Sequence, residues 1–445
     1  MILFLAFRPV APRRPAPPPC RRKRTFLTPY RRLFAAPGAL AFTLAAFVGR
    51  LPGSMLGIST VLMIATDRDS YALAGAVSAT GVAATAVAGP LLGRLVDRQG
   101  QAKVAVPAVV LFALGATAMV LCVHHGAPAW ALFLCAAGSS GVPSLGAMTR
   151  ARWAALHRDD PAARHTASSF EQVVDEICFM VGPALAMVLC TAVFPEAGLI
   201  TAGALLVAGT LLFAAQRRTE PPPHPPAPTG HTPLLRTPGL RAVLLTFLAT
   251  GAVFGSMEVA TVATVRSFGD GSASGAVIAL QAAGSCAAGV VFGALPLRGP
   301  AATRFVAGVA AMALAVLPLL TADRLSSLAP LLFLAGTATA PTMITGMSLV
   351  HRLTPAARLN EGMTTVYTGL LIGISAGAAA GGWTVDHLGP TSAYTTPATA
   401  AALALAAALA GWGRLRMPVR CVPNPLGPEG RPCRGERGPA GGRRR

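Results

Sequence analysis

Three acidic residues stand close together where acids are costly. Glu171, Asp175 and Glu176 open a stretch that continues Ile177-Cys178-Phe179-Met180 and stays apolar to Phe194. At helical pitch Glu171 and Asp175 share a face, and Glu176 lies about 100° round from Asp175. A carboxyl in such surroundings must be paired with a cation, reached by water or neutralised by a proton. The chemistry on offer is ion pairing or reversible proton binding. Asp175 and Glu176 are read as proton-coupling candidates, and Glu171 as a rim ion pair with Arg150 or Arg152 of Arg150-Ala151-Arg152-Trp153. Arg50 lies in the middle of another apolar run, followed by Leu51-Pro52-Gly53. A guanidinium at that depth must face a cavity or a partner, so Arg50 reads as an anion- or carboxylate-binding group, or else as a buried salt bridge. Glu258, in Gly255-Ser256-Met257-Glu258, is an isolated carboxyl in a third run, either a proton site or a rim carboxylate.

The elements that position these groups are read from apolar runs. Of the 445 residues 53% are hydrophobic and 12% charged, about half the charged share of soluble domains, and mean hydropathy is +0.57. A helix across the hydrocarbon core needs roughly 20 apolar residues. Twelve runs of about that length occur: 38–64, 71–92, 104–123, 128–149, 170–194, 197–215, 240–265, 274–296, 303–321, 326–349, 362–384 and 390–412. They are long, Ala/Leu-rich and not alternating, which predicts an all-α membrane protein of twelve transmembrane helices. Small residues recur at four-residue spacing, as in Gly251 and Gly255 or Gly373, Gly377 and Gly381, and predict close helix packing.

Basic residues give the expected orientation. With the N-terminus inside, the external connections hold Arg68, Arg266 and Arg324. The internal ones hold Arg94, Arg98, Lys103, Arg150, Arg152, Arg158, Arg164, Arg217, Arg218, Arg236, Arg298, Arg352 and Arg358. That asymmetry follows the positive-inside rule and predicts a multi-pass protein of the cell membrane with both termini cytoplasmic. The expected organisation is a basic Pro-rich arm (1–37), a six-helix half (38–215), a Pro-rich linker (216–239), a second six-helix half (240–412) and a basic tail (413–445). Net charge is +20, and half of the 37 basic residues fall in the arm and the tail. Basic tails beside membrane helices fix orientation and touch anionic lipid, so lipid is expected as their partner and nucleic acid is not.

One charged loop, Gly93-Arg94-Leu95-Val96-Asp97-Arg98-Gln99-Gly100-Gln101-Ala102-Lys103, turns the chain tightly between the second and third runs. Gly93 allows close packing, Asp97 can cap a helix N-terminus or pair with Arg, and Gly100 permits the turn. The alternative is a generic polar turn. The pattern resembles the signature loop between helices 2 and 3 of the major facilitator superfamily of secondary transporters, roughly G-x-x-x-D-R-x-G-R-[RK]. Gly93, Asp97, Arg98 and Gly100 match; Gln101 and Ala102 stand where the family has a basic pair, and Lys103 follows one position late. The resemblance implies two pseudo-symmetric six-helix halves that rock about a midplane site. It also implies a cytoplasmic latch, to which Gly93, Asp97, Arg98, Gly100, Arg150, Arg152 and Glu171 are assigned. Gly182-Pro183 on the fifth run is similar to the kink of drug-exporting members.

The expected function is alternating-access transport of a small organic solute, with protons as coupling partner and export as direction, by a monomer. A metabolite or sugar importer of the same fold is the alternative, and a membrane-embedded transferase or a sensor is more remote. No G-K-[ST] phosphate loop, nucleophile elbow or two-His zinc helix occurs, so neither enzyme chemistry nor a cofactor is expected. The eight cysteines form no C-x-x-C pair, which argues against a structural zinc site.

Overall fold

The computed structural model describes residues 28–223, 234–269, 273–295 and 299–416. Most of the basic arm, linker residues 224–233, Arg298 and most of the tail lie outside the described residues. Eleven helices among the described residues are long and apolar enough to cross a membrane. Spans 1 to 3 are Ala39–Arg68, Tyr71–Gln99 and Gln101–His124; spans 5 and 6 are Pro161–Ala192 and Ala197–Ala215. Spans 7 to 12 are Pro238–Ser267, Ser274–Ala294, Ala301–Thr321, Leu325–Leu353, Ala356–Leu388 and Pro390–Ala410.

Span 4 differs from the continuous helix expected over 128–149. It is two helices, Ala129–Gly138 and Leu145–Leu156, with an unwound stretch between them. The local sequence Gly138-Ser139-Ser140-Gly141-Val142-Pro143 explains the break. Pro143 biases Val142 away from helical geometry, and Gly and Ser hold a helix weakly. Ser144 then restarts the helix by accepting from the Ala147 amide at 3.3 Å. Gly141 and Val142 make no backbone hydrogen bond among the described residues. Span 1 is also interrupted, between a helix ending at Arg50 and another starting at Pro52, because proline removes the amide that would continue the ladder.

Side-chain caps fix other starts. Ser70 accepts from the Leu73 amide at 3.2 Å at the head of span 2. Asp160 accepts from the Ala162 and Ala163 amides, both at 3.0 Å, at the head of span 5.

Within the first six spans, span 1 packs on spans 5 and 6, and span 3 on span 6. Within the last six, span 7 packs on spans 11 and 12, and span 10 on spans 8 and 9. Spans 7 and 11 meet backbone to backbone. A Cβ on Gly251 or Gly255 would collide with the Leu370 or Ile374 carbonyl, and one on Gly373 or Gly377 with the Leu248 or Ala252 carbonyl. The buried apolar side chains form a large cluster in the second half, centred on Phe247, Phe305 and Val350. A smaller one in the first half surrounds Phe42, Trp153 and Phe213. The halves touch chiefly through span 2 against span 11 and span 5 against span 8.

Candidate functional site

Span 5 carries its acids into the bundle interior, where the span 1 break delivers Arg50. Arg50 binds both Glu171 and Asp175 with the two arms of its guanidinium. Its Nη2 also donates to the Glu171 backbone carbonyl at 3.3 Å. Arg150 donates to the other Asp175 oxygen at 2.6 Å, and the Trp153 indole donates to Glu171 at 2.8 Å. Side-chain exposures of 7% for Arg50, 1% for Glu171, 14% for Asp175 and 8% for Arg150 place this network largely out of water. Two guanidiniums and two carboxylates balance, as buried charge requires.

Glu176, the next residue round the helix, has a different environment. It accepts from Gln172 at 3.0 Å and from the Ser285 hydroxyl of span 8 at 2.8 Å. No guanidinium pairs it among the described residues. Glu258 of span 7 is exposed, among buried and half-buried neighbours on its own helix, and has no hydrogen bond or ion pair among the described residues. The structure therefore groups Arg50, Asp175, Glu171 and Arg150, sets Glu176 beside them, and leaves Glu258 apart.

A cavity of about 480 Å³ lies against this network. Arg50 and Asp175 face it, together with Ser78, Thr85, Ser139 and Ser140 of the first half and Tyr367 and Thr368 of span 11. The unwound part of span 4 forms one wall. Irregular backbone at membrane depth is tolerated where it lines such a polar space.

The end of span 2 meets the start of span 11. Asp97 accepts from the Asn360 amide at 3.1 Å, the Asn360 side chain at 2.8 Å and the Glu361 amide at 2.9 Å. It thereby caps a helix N-terminus in the opposite half, where the dipole favours an anion. Arg94 reaches Glu361 at 2.9 Å, and Arg358 holds the same carboxylate. A Cβ on Gly93 would stand 2.9 Å from the Asn360 carbonyl, so only glycine permits this approach. Span 5 is tied to span 8 on the same face. His165 Nε2 donates to the Phe292 carbonyl at 2.8 Å and Thr166 to the Gly293 carbonyl at 3.1 Å. Tyr30, ahead of span 1, donates to the Val290 carbonyl at 2.9 Å. These contacts close the face from which the linker leaves, called here the linker face.

Arg150, Arg152 and Glu171 make no hydrogen bond or ion pair to span 2 or span 11 among the described residues. Arg152 stitches the first half together: it donates to Gln101 at 2.7 Å, to the Phe213 and Gln216 carbonyls at 3.1 and 3.0 Å, and to Thr219 at 2.8 Å. It also stacks over the Phe213 ring at 3.8 Å. Gln101, where the signature loop would have a basic residue, is the partner Arg152 uses. Gly100 adopts φ 98° at the loop, and Glu220 of the linker accepts from the Ala102 amide at 3.0 Å, capping span 3. Sequence reasoning passed over Trp153, Ser285, Asn360 and Glu361 as site residues. The cue for Glu361 was an acid in the first turn of a helix; an indole or a serine inside an apolar run carries no cue.

Among the described residues no group of three or more His, Cys, Asp or Glu could hold a metal ion. The sequence profile of the Major Facilitator Superfamily matches residues 42–323. The chain belongs to the major facilitator superfamily. Comparison with curated proteins finds no match. Solved structures share the fold at low identity. The human organic anion transporter MFSD10 (TETRAN) superimposes with TM-score 0.65 at 16% identity, over 84% of this chain and 100% of that one. A bacterial homologue of the iron transporter ferroportin, in an outward-facing state, gives 0.67 at 15%, over 84% and 99%. The superfamily transporter FucP, in an outward conformation, gives 0.61 at 15%, over 83% and 98%. The superfamily's two sets of six spans are the architecture described above, with span 4 broken. Membership makes the chain a membrane-embedded secondary transporter of a small molecule, working by alternating access, and not an enzyme.

Proposed function

We propose that this superfamily member exports a small organic solute in exchange for protons, with the linker face in the cytoplasm of a cell-membrane protein. The observation that carries the reading is the division of labour among the span 5 acids. Asp175 and Glu171 are neutralised by Arg50 and Arg150 and shape the cavity wall. Glu176 has neutral partners only, one of them across the boundary between the halves. A carboxyl held by hydroxyl and amide donors in apolar surroundings is suited to take up and release a proton. Its Ser285 contact breaks when the halves part, so proton occupancy and access are linked through one bond. The cavity's serines and threonines beside Phe112, Met119 and Phe179 suit an amphipathic solute. The acidic residues inside the bundle and the Gly182-Pro183 step of span 5 favour export.

The test is uptake and efflux in inverted vesicles with an imposed pH gradient. Glu176→Gln is expected to abolish gradient-driven accumulation while substrate exchange without a gradient continues. Glu258→Gln is expected to leave both intact. Full gradient dependence in Glu176→Gln would remove the assignment.

A further inference from the structure

The linker face holds a second cavity, of about 340 Å³, which shares Arg150, Met347 and Met363 with the wall of the first and lies on the linker-face side of it. It lies between the two halves, bounded by spans 4 and 5 on one side and spans 9, 10 and 11 on the other. Four guanidiniums line it: Arg150 and Arg164 from the first half, Arg304 and Arg352 from the second. His165 and His351 add an imidazole from each half. One carboxylate, Glu171, reaches the wall, and it is already held by Arg50 and Trp153. Arg150 is committed to Asp175. Arg164, Arg304 and Arg352 form no salt bridge among the described residues. Arg304 Nε is buried without a hydrogen-bond partner. Arg304 and Arg352 repel each other across the space.

Like charges gathered in a partly enclosed chamber are unfavourable unless an anion offsets them. Guanidiniums present planar forks that match phosphate oxygens. The volume corresponds to roughly eleven waters at 30 Å³ each, more than bare phosphate requires. We propose that this chamber binds a phosphate-bearing, multiply charged anion that bridges Arg164 of the first half to Arg304 and Arg352 of the second. Its occupant is a clamp that holds the linker face shut alongside Asp97. The same chemistry comes from two sources, a phosphomonoester lipid headgroup and a soluble phosphate compound.

The test uses the full-length purified protein and measures binding with no transport step, so it stands apart from the reading of Glu176. Inorganic pyrophosphate is titrated calorimetrically at fixed ionic strength with chloride as the balancing anion. Saturable binding is expected in the wild type. Arg304→Gln and Arg352→Gln should each weaken it about tenfold or more, one charged contact being worth at least 1.4 kcal/mol. Arg304→Lys should recover part of the loss, and Arg241→Gln, a cation elsewhere on span 7, should change nothing. A second measurement follows labelling of Thr364→Cys by a reagent supplied from the linker face; Thr364 of span 11 packs against Gly89 of span 2 and lines the first cavity. Saturating pyrophosphate should slow the labelling severalfold. Repeating the titration in nanodiscs with and without phosphatidic acid separates the sources, since a lipid occupant would compete with pyrophosphate. Absence of saturable binding in the wild type, equal affinity in the Gln variants, or labelling unaffected by pyrophosphate would overturn the proposal.

Discussion

Arg50 holds two carboxylates at once, so its removal strands both. Arg50→Ala leaves Glu171 with only the Trp153 indole and Asp175 with only Arg150, in a site where neither side chain exceeds 14% exposure. Breaking a buried pair by removing one partner costs about 3–5 kcal/mol. Thermal unfolding in detergent should show that loss, and pairing Arg50→Ala with Glu171→Gln should recover part of it. An unchanged melting temperature in Arg50→Ala would show that water reaches the network freely. The residues of this site were legible as candidates because charged side chains are conspicuous in apolar runs. Their partnerships were not. Arg50 and Asp175 are 125 residues apart, and spacing along one helix says nothing about which cation another helix delivers. Glu171 was expected to pair with Arg150 or Arg152. It instead meets Arg50, because Arg152 turns away to carbonyls at the end of span 6 and Arg150 goes to Asp175.

Among the elements, the two interrupted spans and the glycine-lined contacts decide function. Asp97 supplies the N-terminal cap of span 11 from the opposite half, and losing such a cap costs about 0.5–2 kcal/mol. Asp97→Ala should therefore shift the population toward an open linker face, read as labelling of Thr364→Cys that is about twofold to thirtyfold faster. Equal rates would mean that the cap does not hold the face closed. In spans 7 and 11, Gly377→Leu would drive a side chain into the Ala252 carbonyl. It should lower the melting temperature and abolish transport, whereas Gly382→Ala, with open space around it, should do neither. Most spans were legible from hydropathy alone, because a lipid-crossing helix satisfies its own backbone and needs only length and apolarity. The break in span 4 was written in Gly138-Ser139-Ser140-Gly141-Val142-Pro143, yet averaging over twenty residues hides a six-residue polar step. The small-residue faces were legible as packing surfaces, but their pairing of span 7 with span 11 required the fold.

At the scale of the molecule, alternating access needs the contacts on one face to be separable while each half stays intact. The geometry meets both demands. Arg152 links spans 3, 4 and 6 and the start of the linker into one body, whereas the polar ties between halves are a few hydrogen bonds and ion pairs near helix ends. Arg152→Ala should reduce stability of the first half without favouring either access state: a lower melting temperature with unchanged Thr364→Cys labelling below that temperature. A changed labelling rate would show that Arg152 also senses the position of the halves. Sidedness is a separate expectation. Cysteines placed at Arg158 and Arg218 should react from one side of the bilayer and those at Ser70 and Glu196 from the other; reaction of all four from one side would overturn the twelve-span threading.

The broken fourth span has a consequence for how the chain is made. Ala129–Gly138 has ten residues, a rod of about 15 Å, half the thickness of the hydrocarbon layer. Such a segment is a poor substrate for independent insertion. Only the short turn at His125–Pro128 separates it from span 3, so the two should partition into the bilayer together as a helical hairpin, with the second piece, Leu145–Leu156, settling afterwards. Biogenesis of the first half would then depend on span 3 escorting its neighbour, and truncations carrying a glycosylation tag after Ser144 should integrate only when span 3 is present.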